Sequence, residues 1–170
     1  MRYEEVVKKF PHIKESDIKP EFDPDYGVCG LGYKLDLNNY HDWETDYLIT
    51  AGYSFFEMPK DLQEGVLAHE LGHYCHAAKH QNFMRFVRHR RWINESKERL
   101  TNKMPESKGT HRDTRMKRWY LLSEMHADNK AFEAGYGKQL LDALKFLRST
   151  SLVKEYVDKR IENLELRLHD

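Results

Sequence analysis

Apolar and polar positions along the chain divide it into short amphipathic segments of two different periods. Residues 4–10 read as a short amphipathic helix that Pro11 ends. Residues 17–25, with Pro20 and Pro24, read as a loop. Two strands are expected next. In 32–38, Tyr33, Leu35 and Leu37 alternate with smaller or polar residues, a period of two. In 46–56, β-branched and aromatic residues dominate, and Asn38 and Asn39 supply a turn between the two strands.

From Pro59 onward the period changes. Pro59 suits the first turn of a helix, and Asp61 and Glu64 place negative charge at its positive end. Leu67, Leu71, Tyr74 and Ala78 then form one apolar stripe. His69, His73, His76 and His80 repeat that spacing two residues later, roughly 200° round the helix. One face is therefore expected in the core and the opposite face lined with imidazoles. Residues 82–100 read as a basic helix, and 103–113, with Pro105 and Gly109, as a flexible connection. A helix over 119–134 ends at Gly135, and helices over 138–147 and 152–168 complete the chain. The expected class is α+β, mostly helical, with a small sheet packed on a central helix and further helices.

Composition narrows the setting. A chain of 170 residues suits a single domain, 1–170, large enough to bury a core without disulfide staples. Two cysteines, Cys29 and Cys75, make no disulfide framework, which favours a reduced, cytoplasmic setting. Cys75 reads as a small apolar group pointing away from the histidines. The opening residues MRYEEVVKKF do not read as a signal peptide. The most apolar stretch, 47–56, spans ten residues and includes Thr50, Gly52 and Ser54. A bilayer crossing needs about 20, so no membrane span is expected.

The net charge of zero conceals an asymmetry. Residues 1–70 hold 7 Lys/Arg against 15 Asp/Glu, and residues 79–118 hold 13 against 4. The basic block reads first as a solvated surface. Contact between 79–118 and nucleic acid or another anionic surface is the alternative.

The chemistry lies in His69-Glu70-Leu71-Gly72-His73. Residues four apart share a helix face, so His69 and His73 can bind one tetrahedral zinc ion. Glu70 lies about 100° further round, placed to act as general base toward a zinc-activated water. Small Gly72 allows another segment to approach closely. A zinc enzyme needs a third protein ligand. His76 lies roughly 10 Å along the axis from His69, so His76 and His80 read as cleft-wall or surface groups. Glu124 on the 119–134 helix is the better candidate. Asp128, four residues on, shares its face and can support the site, either by holding a histidine ring or by contacting the reaction centre.

The stretch Val66-Leu67-Ala68-His69-Glu70-Leu71-Gly72-His73, together with Glu124-x-x-Ala127-Asp128, resembles the gluzincin metallopeptidases. Among them it is similar to the CAAX-prenyl-protease and HtpX-like peptidases and to their small soluble relatives, the minigluzincins. The likeness covers residues 46–164, and Arg160-Ile161-Glu162-Asn163-Leu164 resembles that group's terminal Arg-Ile element. It implies a zincin-like domain in which His69, His73 and Glu124 bind one catalytic Zn2+. It also implies Glu70 as the base and Asp128 in a catalytic or supporting role. The segment 82–113 would then be inserted between the two zinc-binding helices. The chain departs from the group in lacking a membrane span and the His-Pro pair that precedes the Arg-Ile element. Arg160 is thus left open between a transition-state group and a structural ion pair.

The expected function is a soluble zinc-dependent peptidase acting on a peptide or protein bound in extended form, along the edge of the strand at 47–56. A regulatory peptidase holding one partner on 82–100 is a variant of this reading. A latent enzyme covered by its C-terminal segment or by 103–113 is another. The alternative is a non-catalytic zinc-binding module that uses its basic segment to hold nucleic acid, a membrane surface or a protein.

Overall fold

The computed structural model describes residues 3–14, 18–25, 28–34, 46–79, 111–150 and 154–169. Helix α1 (Tyr3–Val7) leads into strands β1 (Ile18–Phe22), β2 (Cys29–Lys34) and β3 (Asp46–Ala51). A short helix α2 (Tyr53–Glu57) precedes α3 (Lys60–Lys79), and α4 (His111–Glu133), α5 (Gly137–Thr150) and α6 (Lys154–His169) follow. The class is α+β and mostly helical, as the periodicities imply.

The sheet has the order β1-β3-β2, with β1 parallel and β2 antiparallel to β3. Residues 18–22 are therefore a strand and not part of a loop. Pro20 lies in it because β1 is an edge strand among the described residues, where one backbone N–H is dispensable. The strand expected over 46–56 stops at Ala51. Gly52 donates its N–H to the Val28 carbonyl at 3.0 Å, and the chain turns into α2. Because β3 has a neighbour on each side, the strand expected to receive a peptide has no open edge.

Helix α3 is the hub. Leu67, Ala68 and Leu71 join Val6 and Val7 of α1, Phe10 just beyond it, Ile18 and Ile49 of the sheet, Leu140 and Leu144 of α5, and Ile161 and Leu164 of α6. Val66 faces a smaller cluster with Ala51, Phe55, Met58 and Ala143. Each fully buried leucine contributes about 1.5–3 kcal/mol, and Leu67, Leu71, Leu140 and Leu164 are all in this class. The expected division into a core face and an open imidazole face fails for the middle of α3, since every residue from 65 to 72 is buried. Helices α4 and α5 and the sheet surround it, so His69 and Glu70 are enclosed along with the leucines.

Two glycines set the helix spacing. A Cβ on Gly65 would lie 2.5 Å from the backbone of Gln139 and Leu140, and one on Gly72 would lie 2.5 Å from the Ala127 carbonyl oxygen. Gln63 closes the end of α2 by donating from Nε2 to the Met58 carbonyl at 2.8 Å. Helix α4 ends as its glycine foretells. Gly135 takes φ +91°, its N–H reaches the Phe132 carbonyl at 2.9 Å, and that of Tyr136 reaches Ala131 at 2.9 Å, a Schellman closure.

Of the segment 82–113, residues 111–113 already belong to α4. The expected basic helix at 82–100, the turn at Asn38-Asn39, His80 and the side chain of His76 lie outside the described residues. Among the described residues, no helix is long and apolar enough to cross a membrane.

Candidate metal centre

The site forms where α3, α4 and α6 meet. His69 and His73 project from α3 on one face, their rings 4.6 Å apart and nearly perpendicular. Close approach of α4 at Gly72 brings Glu124 onto both rings. Its Oε2 lies 3.3 Å from His69 Nε2, and its Oε1 lies 3.2 Å from His73 Nε2. Each of the three side chains thus offers a ligand atom, and these atoms lie within 4.8 Å of one another. The group can hold a metal ion.

Two imidazoles and one carboxylate are donors of the kind that zinc takes. The two imidazoles approach different oxygens of the Glu124 carboxylate, His69 Nε2 at Oε2 and His73 Nε2 at Oε1, so the carboxylate lies between both rings. Two imidazoles and one carboxylate also leave one tetrahedral position for water or substrate.

Asp128, fully buried one turn along α4, meets His69 on the other side of its ring. Its Oδ1 is 2.7 Å from Nδ1 of His69. This fixes the ring so that Nε2 faces Glu124 and His73, the orientation a metal-binding histidine requires. Of the two supporting roles open to Asp128, the geometry favours holding the ring.

Electrostatics follow from this packing. Burial and the nearby Arg160 disfavour a charged His69, but the hydrogen bonds to Asp128 and Glu124 outweigh them and raise its pKa to about 9. Burial pushes the Glu124 carboxyl up, and the bonds from His69 and His73 with the Arg160 charge hold it far below the usual range. Asp128 is lowered in the same way, against its burial, by His69 and Arg160.

Glu70 is also buried, at 8 % exposure. Its charge is felt by Arg160 of α6 and by Cys29 at the start of β2. The motif glutamate is therefore within electrostatic reach of both Arg160 and Cys29. Cys29 and Cys75 are free, half-buried thiols. Burial, then the Glu70 charge, pushes the Cys29 thiol well above its ordinary range.

All five residues picked out from the motifs are thus gathered in one region. Sequence reasoning missed two features of it. It left Arg160 open between a transition-state group and an ion pair, and did not place it on Glu124 and Asp128, 36 and 32 residues away. It did not place Cys29 near Glu70, because no local pattern connects a strand start with a helix 41 residues later. Compared with known protein families, curated proteins and solved structures, the chain matches none.

Proposed function

We propose that this chain is a soluble zinc-dependent endopeptidase with a zincin-like domain, similar in its site to the gluzincins. The observation that carries the reading is the convergence of His69, His73 and Glu124 from two helices, with the buried Glu70 next to His69 in the motif. His69 Nε2, His73 Nε2 and a Glu124 carboxylate oxygen would hold the ion. When bound, zinc supplies a Lewis acid that polarises the scissile carbonyl and acidifies water.

The chain's own residues do the rest. A Glu70 carboxylate oxygen takes a proton from the attacking water as the new C–O bond forms. The same oxygen returns that proton to the amine nitrogen as the C–N bond breaks. Asp128 keeps the His69 ring turned so that Nε2 stays a ligand. Burial of His69, Glu70, Glu124 and Asp128 lowers the local dielectric, which strengthens each of these interactions.

An extended peptide would pair with β2 in place of β3. Strand β2 is an edge among the described residues, and its first residue is within electrostatic reach of Glu70. Backbone hydrogen bonds would then dominate recognition. Two free thiols are consistent with a reduced, cytoplasmic setting.

The deciding experiment compares wild type with Glu70→Gln, His69→Ala and His73→Ala on a panel of unfolded proteins and peptides, with metal content measured for each. Glu70→Gln should keep its zinc and retain less than about one per cent of the hydrolysis. The two histidine variants should lose both. Hydrolysis by Glu70→Gln at the wild-type rate would rule Glu70 out as the base. A zinc-loaded wild type that cleaves nothing in the panel would leave a binding module in place of an enzyme.

A further inference from the structure

Arg160 enters the junction from α6, 32 residues beyond Asp128 and 36 beyond Glu124. Its Nε donates to Asp128 Oδ2 at 2.8 Å and its Nη2 to Asp128 Oδ1 at 2.7 Å, a two-pronged grip on one carboxylate. Its Nη1 donates to Glu124 Oε2 at 2.8 Å. The guanidinium also lies against the His69 ring, with Nη2 3.1 Å from Nδ1. All three nitrogens are thus committed to the two acids of α4.

We propose that Arg160 is the positioning residue of the metal centre, holding the ligand Glu124 and the His69 partner Asp128 in register before an ion arrives. The inference rests on the metal-binding reading of His69, His73 and Glu124, and not on peptidase activity.

Three observations carry it beyond an ordinary ion pair. Arg160 grips Glu124 by Oε2, which leaves Oε1 directed at His73 Nε2. It also takes both oxygens of Asp128, and Oδ1 is the atom that holds His69 Nδ1. One rigid plane of donors therefore sets the orientation of two of the three ligands. The second observation is charge. Two buried carboxylates, Glu124 and Asp128, bond one guanidinium, and a third, Glu70, lies within electrostatic reach of it. A divalent cation brings that formal sum to neutrality only while Arg160 is present, and a buried unpaired charge is strongly disfavoured. The third is that the nitrogens already serve protein acids, so Arg160 acts through Glu124 and Asp128 and is not presented to a substrate.

The fold does not depend on this grip alone. Helix α6 is also held by Ile161 and Leu164 in the core, and by Arg167, which bonds Asn129 and lies over the Phe132 ring at 4.7 Å. Lys145–Glu165 and Arg148–Asp158, each at 2.8 Å, tie it to α5. Removing the Arg160 head group is therefore expected to leave the helix docked.

The test titrates the full-length chain with Zn2+ and with Co2+ against a competing chelator, and records the Co2+ absorption bands. Arg160→Met should lose roughly 10–100-fold in affinity, the usual cost of a residue supporting a ligand, and should alter the Co2+ bands. Arg160→Lys, a point charge without the planar fork, should fall between Arg160→Met and wild type. Lys145→Met breaks an ion pair of the same helix away from the site, and should bind both ions as wild type does. Wild-type affinity and spectrum in Arg160→Met would overturn the proposal, as would an equal loss in Lys145→Met, which would indicate general loosening. If Arg160→Met fails to fold, Arg160→Lys decides, with an unchanged affinity and spectrum overturning it. A wild type that binds neither ion would overturn the metal centre itself, and the Arg160 role with it.

Discussion

Replacing Gly72 by alanine adds one methyl group at the contact that sets the distance between α3 and α4. That Cβ would sit 2.5 Å from the Ala127 carbonyl oxygen and 2.9 Å from its Cα, both backbone atoms that cannot rotate away. Ordinary contact begins at 3.4 Å, so α4 has to retreat by about 0.9 Å. Glu124 lies one turn back on the same helix and moves with it. Metal–ligand distances tolerate only about 0.2 Å, so the Glu124 oxygen no longer meets the ion that the two histidines hold. The expected loss of Zn2+ affinity is at least about tenfold, of the size seen when a ligand is misplaced by its support. For stability, two effects compete. Alanine gains about 1 kcal/mol of helix propensity over glycine, whereas overpacking costs about 1–3 kcal/mol. With a backbone atom in the way, the clash should win. Gly65→Ala is the control, because its Cβ meets Gln139 and Leu140 of α5 at the same 2.5 Å, away from Glu124. Thermal unfolding of the metal-free proteins and Zn2+ titration by chelator competition supply both readouts. Both variants should be destabilised, and only Gly72→Ala should bind Zn2+ weakly. Equal affinity in the two would refute the claim that α3–α4 spacing sets the site.

Further outcomes follow from the same geometry. Glu124→Ala should abolish tight Zn2+ binding, whereas Glu133→Ala on the same helix removes only an exposed pair with Lys130 and should leave titrations unchanged. Asp128→Asn leaves the Arg160 charge poorly paired in a buried place, so it should cost about 3 kcal/mol and lower Tm by about 6–12 °C. A melt that matches wild type would show that the fork carries no stability. In a Cys75→Ser background the Cys29 thiol should react with a disulfide reagent at pH 8 more than about tenfold slower than a free thiol, since thiolate is the reacting form. Glu70→Gln should speed that reaction, and an unchanged rate would mean that Glu70 does not face β2.

The helical half of this protein was legible along the chain because its signals are local. The spacing of His69 and His73, the apolar stripe of Leu67 and Leu71, and the glycine that ends α4 each report on their own element. A helix of known period then places every side chain on it. The pair Glu124 and Asp128 was found by the same rule, as two acids on one helix face. Strand β1 was hidden because Pro20 reads as a loop signal until an edge position excuses its missing donor. Which strand lies in the middle depends on pairing, and no period within 46–51 reveals that β3 has neighbours on both sides. The enclosure of the middle of α3, the electrostatic reach of Glu70 to Cys29 and the grip of Arg160 on two acids are likewise products of packing. They join residues 32 to 91 positions apart. Sequence periodicity marked the long helices and the residues that share a face on them, while the tertiary structure decided which charges meet, because Coulomb and hydrogen-bond energies depend on distance in space and not along the chain.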